Sequence, residues 1–290
     1  METQSSPAAQ GALARIPPEI YFVTSAIFHY VGPAFAVLLF ANVGPLGVAW
    51  LRIGSAAAIF ALWQRPWSSF GALRPADRRR IVALGFVLAA MNITFYLALA
   101  RLPLATVGAI EFVGPIMLAA IGLRGPRNTV ALMLAIVGVH YLMNFKLAGA
   151  PLGYVFAFAN CGLFVLYIVL GHRIAADGGE RGVQRLAAAM LIAAFAAFPI
   201  GIADALPAFE NPIWLAAGIG VGVCSSVIPY VLDQLAMARL PRATYALMLT
   251  LLPATATVVG ILVLGQVPTP LEWTGIAMII AAVAIHRRAQ

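Results

Sequence analysis

Six polar side chains lie inside long apolar runs of this sequence, and they are the groups there that could do chemistry. A run of about 20 apolar residues is long enough to cross the hydrocarbon core of a membrane. A charged group inside such a run costs roughly 2.5–3.5 kcal/mol on insertion scales, so it needs a function or a buried partner. A rise of about 1.5 Å per helical residue places all six in one layer near the bilayer midplane: His29, Arg52, Asn92, Glu111, Asn160 and Thr250.

Glu111 and Arg52 are the two residues of this layer that carry a full charge. Each lies eight residues into its apolar run, at a depth of about 12 Å. Together they could bind the ammonium and carboxylate groups of a zwitterion in a low-dielectric site, and Glu111 could also carry protons. They could instead form an ion pair with a structural role, and the sequence leaves both interpretations open.

Aromatic side chains share helix faces with the polar layer, at spacings of three or four residues. They extend the predicted site to Tyr96, Phe112, Phe164 and Tyr167. Pro115 and Pro253 should kink their helices, because each removes a helical hydrogen bond. The aromatic residues could equally be core, and His29 and the two asparagines could equally be hydrogen-bonded groups between helices.

The composition excludes most soluble functions. Hydrophobic residues make up 62% and charged residues 10% of the 290 residues, whereas a soluble domain averages about 25% charged residues. The net charge of +8 comes from short basic groups between apolar runs, which is a topology signal, so no nucleic-acid partner is expected. The sequence contains no catalytic triad pattern, phosphate-binding glycine loop or metal-ligand spacing, so we expect no enzyme, no cofactor and no metal.

The apolar runs predict an all-α polytopic membrane protein with ten transmembrane helices. Short connections, several with Gly or Pro, separate them. The predicted helices, numbered 1 to 10, are 18–40, 44–63, 81–100, 103–123, 129–146, 150–171, 183–203, 213–237, 242–264 and 270–286.

The chain repeats itself at an offset of 138 residues. Ala-Arg-Leu-Pro-x-Ala-Thr occurs around Pro103 and again around Pro241, and a second proline follows twelve residues later in each copy. Five helices per copy is an odd number, so the second copy must cross the membrane in the opposite sense. This predicts two inverted repeats, 18–146 and 150–286, with short tails at 1–17 and 287–290. Leu249 stands where the first copy has Glu111, so any acid-dependent step should rest on the first repeat.

The basic residues predict the orientation. Fifteen Lys and Arg residues fall on one side of the ten helices and two, Arg101 and Lys146, on the other. By the positive-inside rule both termini are cytoplasmic. Asp233 then lies near an inner helix end, close to Arg239 and Arg242, where the sequence favours an interfacial anchor.

Several short motifs occur in one order along nearly the whole chain. They are Gly47-Val48-x-x-Leu51-Arg52, Met91-Asn92-x-x-Phe95-Tyr96-Leu97, Ala109-Ile110-Glu111-Phe112-x-Gly114-Pro115, Tyr167-Ile168-x-x-Gly171-x-Arg173 and Pro229-Tyr230-x-Leu232-Asp233. In these motifs the chain resembles the EamA-type drug/metabolite transporter superfamily, and within it the bacterial threonine/homoserine exporters.

The resemblance implies a ten-helix inverted-repeat fold in the bacterial inner membrane, and export of amino acids or related metabolites without a bound cofactor. The positions that would carry over are Arg52, Asn92, Tyr96, Glu111, Pro115, Tyr167 and Pro253. The chain departs from the exporter group at Leu252 and Gln266, where that group tends to have glutamate. These departures and the aromatic helices make aromatic or branched amino acids an alternative to threonine and homoserine.

Three functional hypotheses follow from this sequence. The first is amino-acid export by alternating access, with a small-molecule substrate, protons as a candidate coupling ion, membrane lipid around the chain, and a monomer or weak homodimer. The second is efflux of hydrophobic cations or drugs by the same fold. The third is a membrane scaffold that transports nothing, which a polar layer at the midplane disfavours.

Overall fold

The structure is a computed structural model. It describes residues 16–71, 73–102, 107, 110, 111, 113–115, 118, 125–143, 151–249, 251, 252, 255, 259, 262 and 269–285. Across these ranges the chain forms helices and short turns, and none of the described residues is in a strand.

The helices are, in chain order, α1 (Pro18–Leu39), α2 (Pro45–Gln64), α3 (Trp67–Phe70), α4 (Pro75–Leu99), α5 (Pro126–Met143), α6 (Pro151–Ala175), α7 (Gly179–Glu210), α8 (Pro212–Gly222), α9 (Ile228–Met237), α10 (Arg242–Met248) and α11 (Pro270–Ile285). A π-helical turn, Val223–Val227, joins α8 to α9 without a break. The described residues of the fourth and ninth predicted helices, among them Glu111, Pro115 and Thr255, are also helical, except Leu249, which is in a turn.

Local sequence signals explain where the helices begin and end. Seven of them begin at a proline, whose fixed φ suits the first helical turn and whose missing N–H would be unpaired there anyway. The side chain of Asn211 caps α8 by accepting hydrogen bonds from the backbone N–H groups of Ile213 and Trp214. Arg65, in the left-handed region at φ 44°, ends α2.

Within the described residues, six helical segments are long and apolar enough to cross a membrane: α1, α2, α4, α6, α7 and the continuous α8–α9 unit. Many of their large apolar side chains face outward, with Leu62 80% and Phe195 78% exposed. Lipid around the bundle would cover this surface. Two spans are longer than predicted: α4 begins at Pro75 instead of residue 81, and α7 covers Gly179–Glu210 instead of 183–203. Both helices continue into polar residues beyond their predicted ends. The prediction stopped short because hydropathy marks only the part of a helix that lies in lipid.

Two glycines let the backbones of α2 and α7 approach closely. Gly47 of α2 lies against the backbone of Asp204 and Ala205 in α7, so close that an added Cβ would be 2.5 Å from the Asp204 carbonyl. Gly201 of α7 lies equally close to the carbonyl of Leu46. Small residues at such crossings let helix backbones meet, which is a common way to pack helices in membranes.

The other long helices also pack against specific partners. The helix α1 packs against α9, α4 packs against α6 and α7, and α5 packs against α11. The main core of buried side chains lies where α1, α4, α6, α7 and α9 meet. This core and the α2–α7 crossing position the residues of the site.

Charged groups outside the spans are paired locally. Asp77 accepts hydrogen bonds from Arg74 at 3.2 Å and Arg80 at 3.0 Å in the first turns of α4. In the turn between α6 and α7, Asp177 accepts a hydrogen bond from Arg185, which lowers the pKa of that carboxyl below its ordinary value.

Candidate functional site

A small cavity lies between the helices at the level of the predicted polar layer. Its walls come from α1, α2, α4, α6, α9 and the helical segment that carries Glu111. The lining residues are His29, Pro33, Arg52, Met91, Asn92, Phe95, Glu111, Asn160, Phe164 and Tyr230. The structure therefore brings six of the sequence-predicted site residues together, namely His29, Arg52, Asn92, Glu111, Asn160 and Phe164.

One wall of the cavity presents hydrogen-bond acceptors. The amide nitrogen of Asn160 donates to Glu111 Oε1 at 2.8 Å, which turns the amide oxygen of Asn160 away from this bond. The amide nitrogen of Asn92 donates to the Leu88 carbonyl at 2.8 Å. Both amide oxygens are buried and have no hydrogen-bond partner within the described part of the chain. The Glu111 carboxylate, which lines the cavity, suits a ligand that donates hydrogen bonds, such as an ammonium group.

Arg52 forms a second wall, and its orientation is fixed by the opposite half of the chain. Its Nε donates to Ser226 Oγ at 2.8 Å, and its Nη2 donates to the Ser225 carbonyl at 2.7 Å. That carbonyl is available because Pro229, four residues later, has no N–H to donate to it. The guanidinium also lies over the ring of Tyr96, 5.9 Å from its centroid.

Arg52 and Glu111 line the same cavity without pairing directly. Ion pairs within 4.0 Å in the described ranges join Asp77 and Asp177 to arginines outside the spans, and none joins Arg52 to Glu111. Each charge is held by neutral hydrogen-bonding partners instead. The two charges can therefore meet opposite ends of one ligand.

The remaining predicted residues lie around the cavity or outside the description. Tyr96 is fully buried behind Arg52, and Tyr167 stacks on the cavity residue Phe164 with ring centroids 5.9 Å apart. Pro115 is buried in a helical segment. Phe112, Thr250 and Pro253 lie outside the described residues. The sequence did not single out Met91, Phe95 or Tyr230 as lining residues, although all three stand in the motifs that suggested the family.

Asp233, outside the cavity lining, is the residue that the sequence placed in the wrong environment. It is 2% exposed and lies inside the bundle. Ser25 Oγ donates to its Oδ1 at 2.7 Å, and Tyr167 Oη donates to its Oδ2 at 3.0 Å. Arg239, which lies close to Asp233 in the sequence, donates to the Ile16 carbonyl at 2.8 Å. The spacing of Pro229 and Asp233, four residues apart on one face of α9, was the signal that could have indicated an inward side chain.

The described residues contain no group of three His, Cys, Asp or Glu side chains that could hold a metal ion. The chemistry available in the cavity is therefore that of hydrogen bonds and of two separated charges. Such a site can bind a small charged or zwitterionic solute.

Comparison with known proteins identifies transporters. Residues 151–287 match the EamA-like transporter family. The threonine/homoserine exporter RhtA of Escherichia coli (strain K12) is 31% identical over 284 residues, which cover 94% of this chain and 92% of that protein. The threonine/homoserine exporter RhtA of Salmonella typhimurium (strain SL1344) is 33% identical over 260 residues, which cover 87% and 84%.

One solved structure shows the same fold. A crystal structure with 17% sequence identity superposes with a TM-score of 0.69, over 92% of this chain and 96% of that chain. With its six long apolar helical segments, the chain is a multi-pass membrane protein.

Proposed function

Because the chain belongs to the EamA-like transporter family, we propose that it exports small amino acids across the bacterial inner membrane by alternating access. The observation that carries this proposal is the arrangement of charge in the cavity. Glu111, Asn160 and Arg52 line the cavity together, and Glu111 and Arg52 are hydrogen-bonded to neutral partners, not to each other. An amino acid carries an ammonium and a carboxylate group, and this cavity offers a partner for each.

The cavity also disfavours the alternative of cation efflux. A hydrophobic cation would gain from Glu111 and from Phe95 and Phe164, but it would lie beside the buried guanidinium of Arg52. A like charge in a low-dielectric site repels it. This repulsion favours a zwitterion, whose carboxylate can face Arg52 while its ammonium group faces Glu111.

We infer that the substrates include threonine or homoserine, as the names of the relatives suggest. In the sequence, Leu252 stands where the exporter group tends to have glutamate, and this departure argued against threonine and homoserine as substrates. Leu252 is 2% exposed in the main core and is not a cavity residue. The second departure, Gln266, lies outside the described residues. The loss of an acid at residue 252 therefore leaves the cavity chemistry unchanged, and a hydroxyl side chain would find hydrogen-bonding partners in His29 and Tyr230.

The helix packing supports an inverted repeat with the site between its halves. Numbered as predicted, helix 3 (α4) packs on helix 6 (α6), and helix 8 (α8–α9) packs on helix 1 (α1). Each half thus places its third helix on the first helix of the other half, as a two-fold relation would require. Helices 2 and 7 pair with each other, as do helices 5 and 10. In this arrangement both termini are cytoplasmic, and rocking of the halves would expose the cavity to each side in turn.

Transport by purified protein in proteoliposomes tests the proposal. Wild-type protein should exchange labelled threonine or homoserine, whereas Glu111→Gln should weaken binding roughly 10- to 100-fold, because a hydrogen bond to a charged group contributes about 1.5–3 kcal/mol. Glu210→Gln is the matched control, since Glu210 is exposed at the end of α7, and it should transport like wild type.

The proposal also predicts which solutes stabilise the wild-type protein. In a thermal-shift panel, the amino acids that bind should raise the melting temperature by mass action, and cationic dyes should not. Amino-acid binding in this cavity would be contradicted if the Glu111→Gln variant exchanged substrate at the wild-type rate, or if only dyes stabilised the protein.

A further inference from the structure

We propose that Asp233 is a proton-binding site, separate from the substrate cavity, whose occupancy controls the contact between α1 and α9. This inference rests on the proposed transport function, since it assigns a coupling ion to that transporter. It concerns a buried carboxyl in the second half of the chain, where the sequence predicted no acid of functional importance.

The surroundings of Asp233 lack a cation. The carboxyl is 2% exposed, and in the described part of the chain no Lys, Arg or His nitrogen lies within 4.0 Å of it. Its two hydrogen bonds come from neutral hydroxyl groups, those of Ser25 and Tyr167. A buried carboxylate without a cation is costly. A proton is the smallest ligand that removes this charge, and the site has no set of three ligands for a metal ion among the described residues.

The geometry around Ser25 can serve both protonation states. Ser25 Oγ lies 2.7 Å from Asp233 Oδ1 and 3.3 Å from the Pro229 carbonyl, but a hydroxyl has one hydrogen to donate. When Asp233 is a carboxylate, Ser25 donates to Oδ1. When Asp233 is a carboxylic acid, it can donate to Ser25 Oγ, and Ser25 can then donate to the Pro229 carbonyl. The same atoms therefore pair with or without the proton.

The site lies on the side of the cavity that the basic residues predict as cytoplasmic. Asp233 is four residues from the end of α9, about 6 Å along the axis, and Ser25 is seven residues from the start of α1, about 10 Å along the axis. Their hydrogen bond joins the first half of the chain to the second. Separation of α1 from α9 would break this bond and expose the carboxyl to cytoplasmic water.

A layer of aromatic rings connects Asp233 to the cavity. Tyr167 bonds to Asp233, stacks on Phe164 at 5.9 Å, and packs on Tyr230 at 5.4 Å between ring centroids. Phe164 and Tyr230 are cavity residues. A change at Asp233 thus reaches the substrate site through one side chain, although the carboxyl itself does not line the cavity.

The titratable groups facing Asp233 are tyrosines from three elements: Tyr167 of α6, Tyr230 of α9 and Tyr245 of α10. Charged and imidazole groups lie beyond them. Arg52 and His29 contact Tyr230 on the cavity side, and His172 contacts the ring of Tyr245 on the other side. None of these groups lies between Asp233 and Ser25, so the proton on Asp233 is the one that acts on the α1–α9 contact.

The proposed step is a simple proton exchange. With α1 and α9 apart, the Asp233 carboxyl releases one proton to cytoplasmic water and becomes a carboxylate. With α1 and α9 together, the carboxyl holds one proton and is buried. The carboxylate is reprotonated while the cavity is open outward, by one proton from the outer water passed through the Tyr167 hydroxyl. Each export cycle thus takes up one proton outside and releases it inside.

Proton movement and substrate binding can be measured separately on the purified protein. Difference infrared spectroscopy on acidification, without any substrate, should show a carboxylic-acid band that Asp233→Asn lacks and Glu210→Gln keeps. In proteoliposomes with a pH-sensitive dye inside, wild-type export should carry protons and respond to a pH gradient. Asp233→Asn should bind threonine within about twofold of wild-type affinity but should show neither response.

Conservative variants keep the test decisive if Asp233→Asn does not fold. Asp233→Glu should restore the band and the proton movement, and Ser25→Ala should keep both while its transport has a displaced pH profile. Wild-type proton movement in Asp233→Asn, an unchanged infrared spectrum, or dependence on sodium instead of protons would overturn the assignment. Failure of the wild type to bind any amino acid would instead overturn the proposed function and leave the infrared result to decide on Asp233.

Discussion

The crossing of α2 and α7 allows a worked prediction about Gly47→Ala. A Cβ at this position would be 2.5 Å from both the carbonyl carbon and oxygen of Asp204, and 2.7 Å from the backbone nitrogen of Ala205. An ordinary contact between such atoms is about 3.5–4.0 Å. The two helices would have to separate by about 1 Å, because backbone atoms cannot rotate away as a side chain can.

The expected cost can be set against a control in the same helix. Overpacking costs about 1–3 kcal/mol, and the upper half of that range applies where backbone meets backbone. Alanine gains up to about 1 kcal/mol over glycine in a helix interior. Gly54→Ala should show only this gain, because the nearest atoms to its Cβ are ring carbons of Trp50 at 3.6 Å. We therefore expect Gly47→Ala to be less stable than Gly54→Ala by about 2–3 kcal/mol.

Thermal unfolding in detergent measures this difference. A shift of about 2–4 °C per kcal/mol predicts a melting temperature roughly 4–12 °C lower for Gly47→Ala than for Gly54→Ala. The buried thiol of Cys161 provides the signal, since a fluorescent maleimide reacts with it on unfolding.

A functional readout accompanies the stability difference. Arg52 lies five residues beyond Gly47, about 7.5 Å along α2, so a shift of α2 would lengthen its bond to Ser226, which is 2.8 Å in the structure. Threonine exchange should fall by about tenfold or more, as misplacement by 1 Å can cost up to about 100-fold. Equal melting temperatures and equal transport in the two alanine variants would refute the close backbone contact.

Two further predictions concern single polar side chains. Asn160→Ala removes the donor to Glu111 and should weaken amino-acid binding about tenfold in a titration. Asn211→Ala, its control, should lower stability by about 1 kcal/mol through loss of the α8 cap without changing affinity. Weaker binding by Asn211→Ala together with unchanged binding by Asn160→Ala would contradict both assignments. Arg185 lowers the pKa of Asp177, so the stability from this pair is present above the ordinary aspartate pKa and is lost as the pH falls through the lowered value. Asp177→Asn should therefore flatten the acid limb of the melting temperature against pH, and an unchanged limb would show that the pair contributes nothing.

The polar layer of the cavity could be predicted from the sequence because lipid makes polar groups conspicuous. His29, Asn92, Glu111 and Asn160 stand out in apolar runs, and the helical rise gives their depth. All four line the cavity in the structure. Depth follows from position along the chain, so no knowledge of the packing was needed.

The partners of these residues could not be predicted in the same way. Arg52 bonds to Ser225 and Ser226, which are 173 and 174 residues away, and not to Glu111 at matching depth. Asp233 was interpreted as an interfacial anchor because it lies near a helix end. Its bond to Ser25 depends on which face of α9 meets α1, and that is decided by the packing of the whole bundle. The depth of a residue in the membrane can be counted along its own helix, whereas the partner that its side chain meets depends on how two helices pack.

The long separation of these partners has a consequence for biosynthesis. Ribosomes add about 5–20 residues per second, so roughly 9–35 s pass between the synthesis of Arg52 and that of Ser226, its partner 174 residues later. During that interval a helix with an unpaired guanidinium must wait in or beside the translocation channel. The first five predicted helices should therefore be degraded when expressed alone, and co-expression of the second five should rescue them. Quality control in the membrane would thus detect any delay in the second half through the exposed charge of the first.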